Sequence, residues 1–339
     1  MLTEKQISEI REHLDSSQNP LFFFDNDTDG MCSFLLLRRY LGRGNGVAIK
    51  SYPYLDESYS RKIRELEPDK VFILDKPEVS EEFFDYCRQR NLPVVWIDHH
   101  EAHSPKDVFY YNPMSNKPSY EPVSSVCHKV AKKDEWIAMI GCLGDHYLPD
   151  FTDKFARQYP ELLAKHGNAG EARFETEMSK LIKLIDFAMK DTTTNVVRLM
   201  KALIEAKGPH EILNREKKYE HMWKRHDLVR KKYDLLMEKA KQSISGRMLF
   251  FRYSGDLSIS RELSDELSHF FQDKLIAVAY VRGEVVKVSL RYLKKDLRPI
   301  VSDILKEIEG RGGGHPAACG MAIKAKDLDK LKEMLERLA

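Results

Sequence analysis

Residues Phe22 to Ser33 read FFFDNDTDGMCS, which places Asp25, Asp27 and Asp29 at alternate positions behind a run of aromatics. Carboxylates that close repel one another, so a chain folding for stability alone would rarely carry the pattern. The same chemistry recurs downstream. Asp75 follows the apolar run VFIL, and Asp98-His99-His100 follows VVWI. A lone aspartate at a strand end is ordinarily a helix N-cap. Three such ends, one with tandem histidines, go beyond capping. Carboxylates mixed with imidazole suit a borderline divalent ion such as Mn²⁺, and cations remove the penalty of converging negative charge. A dinuclear metal site is the economical interpretation.

Such a site needs elements that deliver its residues to one edge. LFFF, a strand within GVAIKSYPY, VFILD and PVVWID alternate with helical stretches TEKQISEIREHL, MCSFLLLRRYL, SRKIRELE and SEEFFDYCRQR. Short apolar strands alternating with helices predict an α/β fold whose N-terminal parallel sheet is buried on both faces. Ligands of such sheets collect beyond the carboxyl ends of the strands, where these aspartates fall. From about residue 120 to 205 the pattern is helical, including ELLAKHG, ETEMSKLIKLIDFAMK and TTNVVRLMKALIEA. A long charged helix is predicted from Asn214 to Ser243. After Gly246 a smaller mixed α/β domain follows, with a hairpin between KLIAVAYV and EVVKVSLRY and a glycine-rich turn at GGGH.

Composition narrows the classes. The chain has 339 residues, enough for two domains each with its own core. A net charge of +2 makes any nucleic-acid surface local rather than global. No apolar stretch approaches the roughly 18 residues that span a bilayer, and the N-terminus MLTEKQISEIREHL has no secretory core, so no membrane and a cytoplasmic location are expected. Five scattered cysteines without a CxxC pair are expected as buried free thiols rather than a zinc site.

DNDTDG, the strand-end Asp75, Asp98-His99-His100 and Gly144-Asp145 resemble, in order, the four motifs of the DHH phosphoesterase superfamily. GGGHPAACG, preceded by VSLR, resembles the associated DHHA1 substrate-binding domain. The resemblance implies a DHH catalytic domain over residues 1–190, a helical connector over 191–245 and a DHHA1 domain over 246–339. It implies two Mn²⁺ ions, with Mg²⁺ as a substitute, and hydrolysis of a phosphoester. Asp27 and Asp29 would each bind one ion, Asp75 would bridge them, and His99 and Asp145 would complete the set. Asp25 fits the acidic position of RecJ-like nucleases, as an added ligand. His100 would sit by the scissile phosphate, and Asp98 would orient a histidine. Arg291 and Gly312-Gly313-Gly314 with His315 would hold a substrate phosphate or terminus.

Within the superfamily, pyrophosphatases and small-nucleotide phosphodiesterases usually carry His four residues before the Asp matching Asp27. This chain has Phe23 there and Asp25 in addition. That departure points to the RecJ-like branch, a single-stranded DNA or RNA exonuclease, with a helicase or a replication or repair protein as partner. Between Arg215 and Arg247 there are 11 Lys/Arg against 5 Asp/Glu, which suits a phosphate backbone or a solvated helix face. Tyr219, Trp223 and Tyr233 suit base stacking, though such residues more often pack. The alternative is a small-substrate phosphodiesterase acting on very short oligoribonucleotides or pAp-like nucleotides. A scaffold that has lost its metal is disfavoured, since every motif carboxylate is present. His103 and His146 are left outside the site.

Overall fold

The computed structural model describes all residues except 52–53, 102–104, 117–119, 165–166 and 339. Two compact units are present, Met1–His226 and Asp227–Ala339. The first contains strands β1 (Pro20–Asp25), β2 (Asn45–Ile49), β3 (Tyr54–Leu55), β4 (Lys70–Leu74), β5 (Glu78–Val79), β6 (Val94–Ile97) and β7 (Phe109–Tyr111). Five form a parallel sheet in the order β2-β1-β4-β6-β7, while β3 and β5 pair separately. The order reverses at β1, which pairs with β2 on one side and β4 on the other. A ligand crevice opens beyond the strand ends at such a reversal, and Asp25 and Asp75 flank it.

Alternation along β1 sorts its aromatics. Phe22 and Phe24 join Phe72, Leu74, Val95 and Ile97 in one core, whereas Leu21 and Phe23 join Val71, Ile73, Val94 and Trp96 in another. The first core is closed by α1 (Glu4–Asp15), α2 (Thr28–Leu41), α5 (Val123–Ala131), α6 (Glu135–Gly144), α7 (Thr152–Gln158), α8 (Ala169–Phe174), α9 (Met178–Met189), α10 (Thr193–Ile204) and α11 (Pro209–Leu213). The second is closed by α3 (Ser60–Leu66) and α4 (Glu81–Arg88). Both faces of the sheet are therefore dry, as parallel strands with no polar alternation require. The fold class expected from the sequence is present.

Several boundaries differ from expectation. Strand β7 has no counterpart among the expected elements, and residues 161–164 of ELLAKHG are turn and irregular rather than helix. The long helix, α12 (Glu220–Lys241), starts later than Asn214, because α11 opens on Pro209 and a 3-10 turn, Lys217–Tyr219, intervenes. Of the stretch expected as a helical connector, residues 191–226 lie in the first unit and 227–245 in the second. Tyr219, Trp223 and Tyr233 are buried, so they pack and present no stacking surface. All five cysteines are buried free thiols. Among the described residues, no helix is long and apolar enough to cross a membrane.

The second unit is a mixed sheet of β8 (Ile244–Ser245), β9 (Met248–Ser254), β10 (Leu275–Arg282), β11 (Val285–Arg291), β12 (Gly310–His315) and β13 (Ala318–Lys324), with helices α13 (Ser260–Phe270), α14 (Leu297–Glu307) and α15 (Leu328–Leu338). Its order is β12-β13-β11-β10-β9-β8, with β9 and β10 parallel and the other pairs antiparallel. The predicted hairpin joins β10 to β11. The glycine-rich turn is corrected: Gly312, Gly313 and Gly314 lie within edge strand β12. A Cβ on Gly312 would meet the Gly320 carbonyl oxygen at 2.6 Å, and one on Gly314 the Ala318 carbonyl oxygen at 2.4 Å. Two of the glycines thus permit close approach to β13.

Gly30 is equally constrained. A Cβ there would lie 2.5 Å from the Asp25 carbonyl oxygen and 2.8 Å from its nitrogen. Gly→Ala within a helix ordinarily stabilises by about 1 kcal/mol. Here Gly30→Ala is expected to destabilise by about 1–3 kcal/mol; urea denaturation checks it, and a stabilised variant would contradict the packing.

Candidate metal centre

The aspartates of DNDTDG are placed by the junction between β1 and α2. Asp27 is the N-cap of α2, its Oδ1 accepting from the Gly30 amide at 3.0 Å. Asp29 is buried in the first turn. Its two oxygens accept from the Val123 and Ser124 amides, each at 2.9 Å, so the carboxylate lies at the positive end of α5. The helix start at Ser124, which follows the histidine motif, therefore anchors a motif carboxylate with its backbone.

Asp75 is buried and adopts φ 55°, the left-handed region that aspartate tolerates better than most residues. Its amide donates to the Ile97 carbonyl at 3.0 Å, tying the end of β4 to β6. One residue beyond Asp98, the buried His99 places Nε2 3.2 Å from Asp75 Oδ1 and 3.5 Å from Asp145 Oδ2. Asp145 caps the end of α6. Ligand atoms of Asp29, His99 and Asp145 all lie within 4.8 Å of one another, as do those of Asp75, Asp98 and His100. Asp27 lies close enough for its charge to act on both Asp29 and Asp75.

Electrostatics follow from this crowding. Burial, and then the charges of Asp27, Asp29, Asp145 and Asp25, push the Asp75 carboxyl well above the usual range. Burial and Asp145 do the same to Asp29, against the opposing hydrogen bonds from Ser124. The two histidines diverge. Burial, reinforced by His100, lowers His99 and keeps its ring neutral. Burial would also lower His100, but the Asp98 carboxylate, 2.8 Å from Nδ1, outweighs it and raises the imidazole to about 9. The result is a neutral donor beside a fixed cation. Four buried or half-buried carboxylates with a neutral imidazole fit a pair of divalent cations, which would reverse the sign of the local repulsion.

Four side chains at the site were missed by sequence reasoning. Lys76, fully buried, donates to Asp25 Oδ1 at 2.8 Å. Asp25, expected as an added ligand, therefore stands in an ion pair. A lysine directly behind the aspartate of an apolar strand was the available signal. Tyr120 donates to Asp145 Oδ2 at 2.8 Å, with its ring 5.2 Å from that of His99. Asp186, on α9, accepts from the Thr28 hydroxyl, and buried Arg173 donates to the Gly144 carbonyl. These three carry no local sequence signal. His146 packs its ring 5.6 Å from Phe174, and His103 lies outside the described residues.

In the second unit, β13 joins the two motifs. Arg291 on β11 and His315 on β12 both pair with Ala318, so they occupy one row of the sheet. Arg291 is buried, with Nε 2.6 Å from Asp265 Oδ1 and Nη1 2.7 Å from the Leu290 carbonyl oxygen.

Residues 21–148 match the DHH family, N-terminal domain, and residues 246–339 match the DHHA1 domain. A parallel-sheet domain with a carboxylate–histidine cluster, followed by a mixed-sheet domain, defines a two-domain phosphoesterase architecture. The chain belongs to the DHH/DHHA1 superfamily. No curated protein matches it in sequence. Among solved structures it is similar to RecJ from Thermus thermophilus in complex with Mn²⁺, with a TM-score of 0.71 and 14% identity over 99% of this chain and 55% of that one. The chain thus spans about half the length of that protein. An exonuclease RecJ bound to manganese has a TM-score of 0.63 and 12% identity, over 99% of this chain and 95% of that one. A pGpG-specific phosphodiesterase from Vibrio cholerae has a TM-score of 0.50 and 15% identity, over 94% and 97%. At these identities the likeness concerns the fold.

The His100–Asp98 pair makes a pH-dependent prediction for the metal-free protein. A folded-state value of about 9 against an ordinary 6.5 means the fold holds this proton more tightly than the unfolded chain. Its stabilising contribution is complete below about pH 6.5 and is lost as pH climbs through about 9. NMR titration should find His100 near 9, and Asp98→Asn should lower it by a unit or more. An unshifted His100 would contradict the pairing.

Proposed function

We propose that the chain is a metal-dependent phosphodiesterase of the RecJ-like kind, removing nucleotides from an end of single-stranded DNA or RNA. The observation that carries the reading is the convergence of His99 Nε2 on Asp75 and Asp145, with the cationic His100 alongside. Asp27, Asp29, Asp75, His99 and Asp145 would hold two Mn²⁺ ions, or Mg²⁺ in their place, which when bound activate water and neutralise phosphoryl oxygens.

The chain's own residues supply the rest. His100 presents positive charge where a phosphate oxygen gains negative charge, and Asp98 holds its ring in place. Asp29 is fixed by the start of α5, and Asp145 is held by Tyr120. Arg291, Gly312, Gly313, Gly314 and His315 are the residues assigned to a substrate phosphate or terminus. Phe23 supports the choice of branch: it is fully buried, 5.5 Å from Phe83 in the core on the opposite face from Phe22 and Phe24, and offers no donor. The basic segment supports a polymer less strongly, because Lys218, Lys224, Arg230, Lys232 and Lys241 are in ion pairs. Similarity of fold to a pGpG-specific enzyme keeps the short-substrate alternative in view.

End-labelled single strands of increasing length, incubated with Mn²⁺, discriminate between the two. Long strands should be shortened one nucleotide at a time, while activity confined to two- to five-mers would favour the alternative. Asp27→Ala and His99→Ala should each lower the rate roughly 100-fold or more, in line with losing a group that stabilises transition-state charge. Unchanged rates in either variant would contradict the assignment.

A further inference from the structure

Lys76 is not among the residues that any motif of this site calls for. Its side chain has no exposed surface, and Nζ donates to Asp25 Oδ1 and to the Ser51 carbonyl oxygen, each at 2.8 Å. Its own carbonyl oxygen accepts from Trp96 Nε1 at 3.0 Å. Asp25 ends β1, Ser51 follows β2, and Lys76 follows β4, so one ammonium joins the carboxyl ends of three adjacent strands. These are the strands at which the sheet order reverses. A lysine with no exposed surface reaches no substrate phosphate. A buried ammonium persists only where charge and hydrogen bonds compensate its desolvation, and Asp25 with Ser51 provide both.

We propose that Lys76 is a built-in counter-ion that takes Asp25 out of the metal-ligand set and makes it a positioning residue for the turn carrying Asp27 and Asp29. The assignment rests on the two-metal reading of the site. Charge balance supports it. Asp25 Oδ1 is matched by the Lys76 ammonium at 2.8 Å, whereas His99 Nε2 lies against Asp75 and Asp145 and not against Asp25. A carboxylate already neutralised by a buried lysine has less charge to offer a divalent ion than the carboxylates around His99. Geometry agrees with charge. The Gly30 Cα abuts the Asp25 backbone so closely that no Cβ fits, and the pair with Lys76 fixes the Asp25 side chain. Asp25 is held at both ends, immediately before the two aspartates it positions.

Equilibrium dialysis with Mn²⁺ and thermal unfolding of the metal-free protein test this together, using the full chain, Asp25→Asn, Lys76→Met and the double variant. The unsubstituted protein should bind two Mn²⁺ ions, and Asp25→Asn should still bind two, with affinity weakened about tenfold by the uncompensated Lys76 ammonium. Lys76→Met strands a carboxylate, so it should lower the metal-free Tm by roughly 5 °C or more and tighten Mn²⁺ binding about tenfold as Asp25 adds its charge to the site. The double variant should return both quantities toward the unsubstituted protein, the affinity because the two charge changes cancel and the Tm because neither charge is then stranded, a non-additivity expected of a contacting pair. Loss of one ion in Asp25→Asn, or strict additivity of the two Tm shifts, would overturn the proposal alone. Failure of the unsubstituted protein to bind Mn²⁺ would instead overturn the two-metal reading on which it rests.

Discussion

Repulsion among carboxylates gathered at one end of a parallel sheet is the constraint from which the rest of this protein's first unit follows. Each acidic group is secured by a different device: Asp27 by capping α2, Asp29 by the amides that open α5, Asp75 by a left-handed turn bonded to β6, and Asp145 by Tyr120. None of these devices removes the charge. Asp75 and Asp29 remain displaced well above the ordinary carboxylate range by burial and by the carboxylates around them. A cluster held so firmly in an unfavourable state is arranged for cations, since a divalent ion converts the repulsion into binding energy.

The neighbouring histidines show how environment separates two identical side chains. His99 turns inward between Asp75 and Asp145 and stays neutral, whereas His100 turns to Asp98 and stays charged. One therefore suits coordination and the other suits a phosphate oxygen. Lys76 adds a second internal cation, placed where no solvent or substrate reaches it. The site thus contains two paired positive charges in different settings, one half-buried beside Asp98 and one fully buried among the strand ends.

Much of this was legible in the sequence because the relevant patterns are short and local. Apolar runs ending in Asp25, Asp75 and Asp98 gave both the strands and their shared edge, and the i, i+2 spacing of Asp27 and Asp29 survived as a cap and a first-turn residue. What failed was what depends on contacts distant in the chain. GGGH reads as a turn by composition, yet lies in a strand because β13 approaches too closely for side chains at Gly312 and Gly314. Tyr120, Asp186 and Arg173 act on the site from loops and helices whose approach has no local signature. Lys76 was readable only in hindsight, as a lysine misplaced behind a dry strand.

The central claim is that Asp27, Asp29, Asp75, His99 and Asp145 form a single two-cation site. Crystals of the protein soaked in Mn²⁺ and measured at the manganese absorption edge test it most directly. Two anomalous peaks within that cluster, with Asp25 still on Lys76, are the predicted result. No peak, or a single peak bound to Asp25, would contradict it.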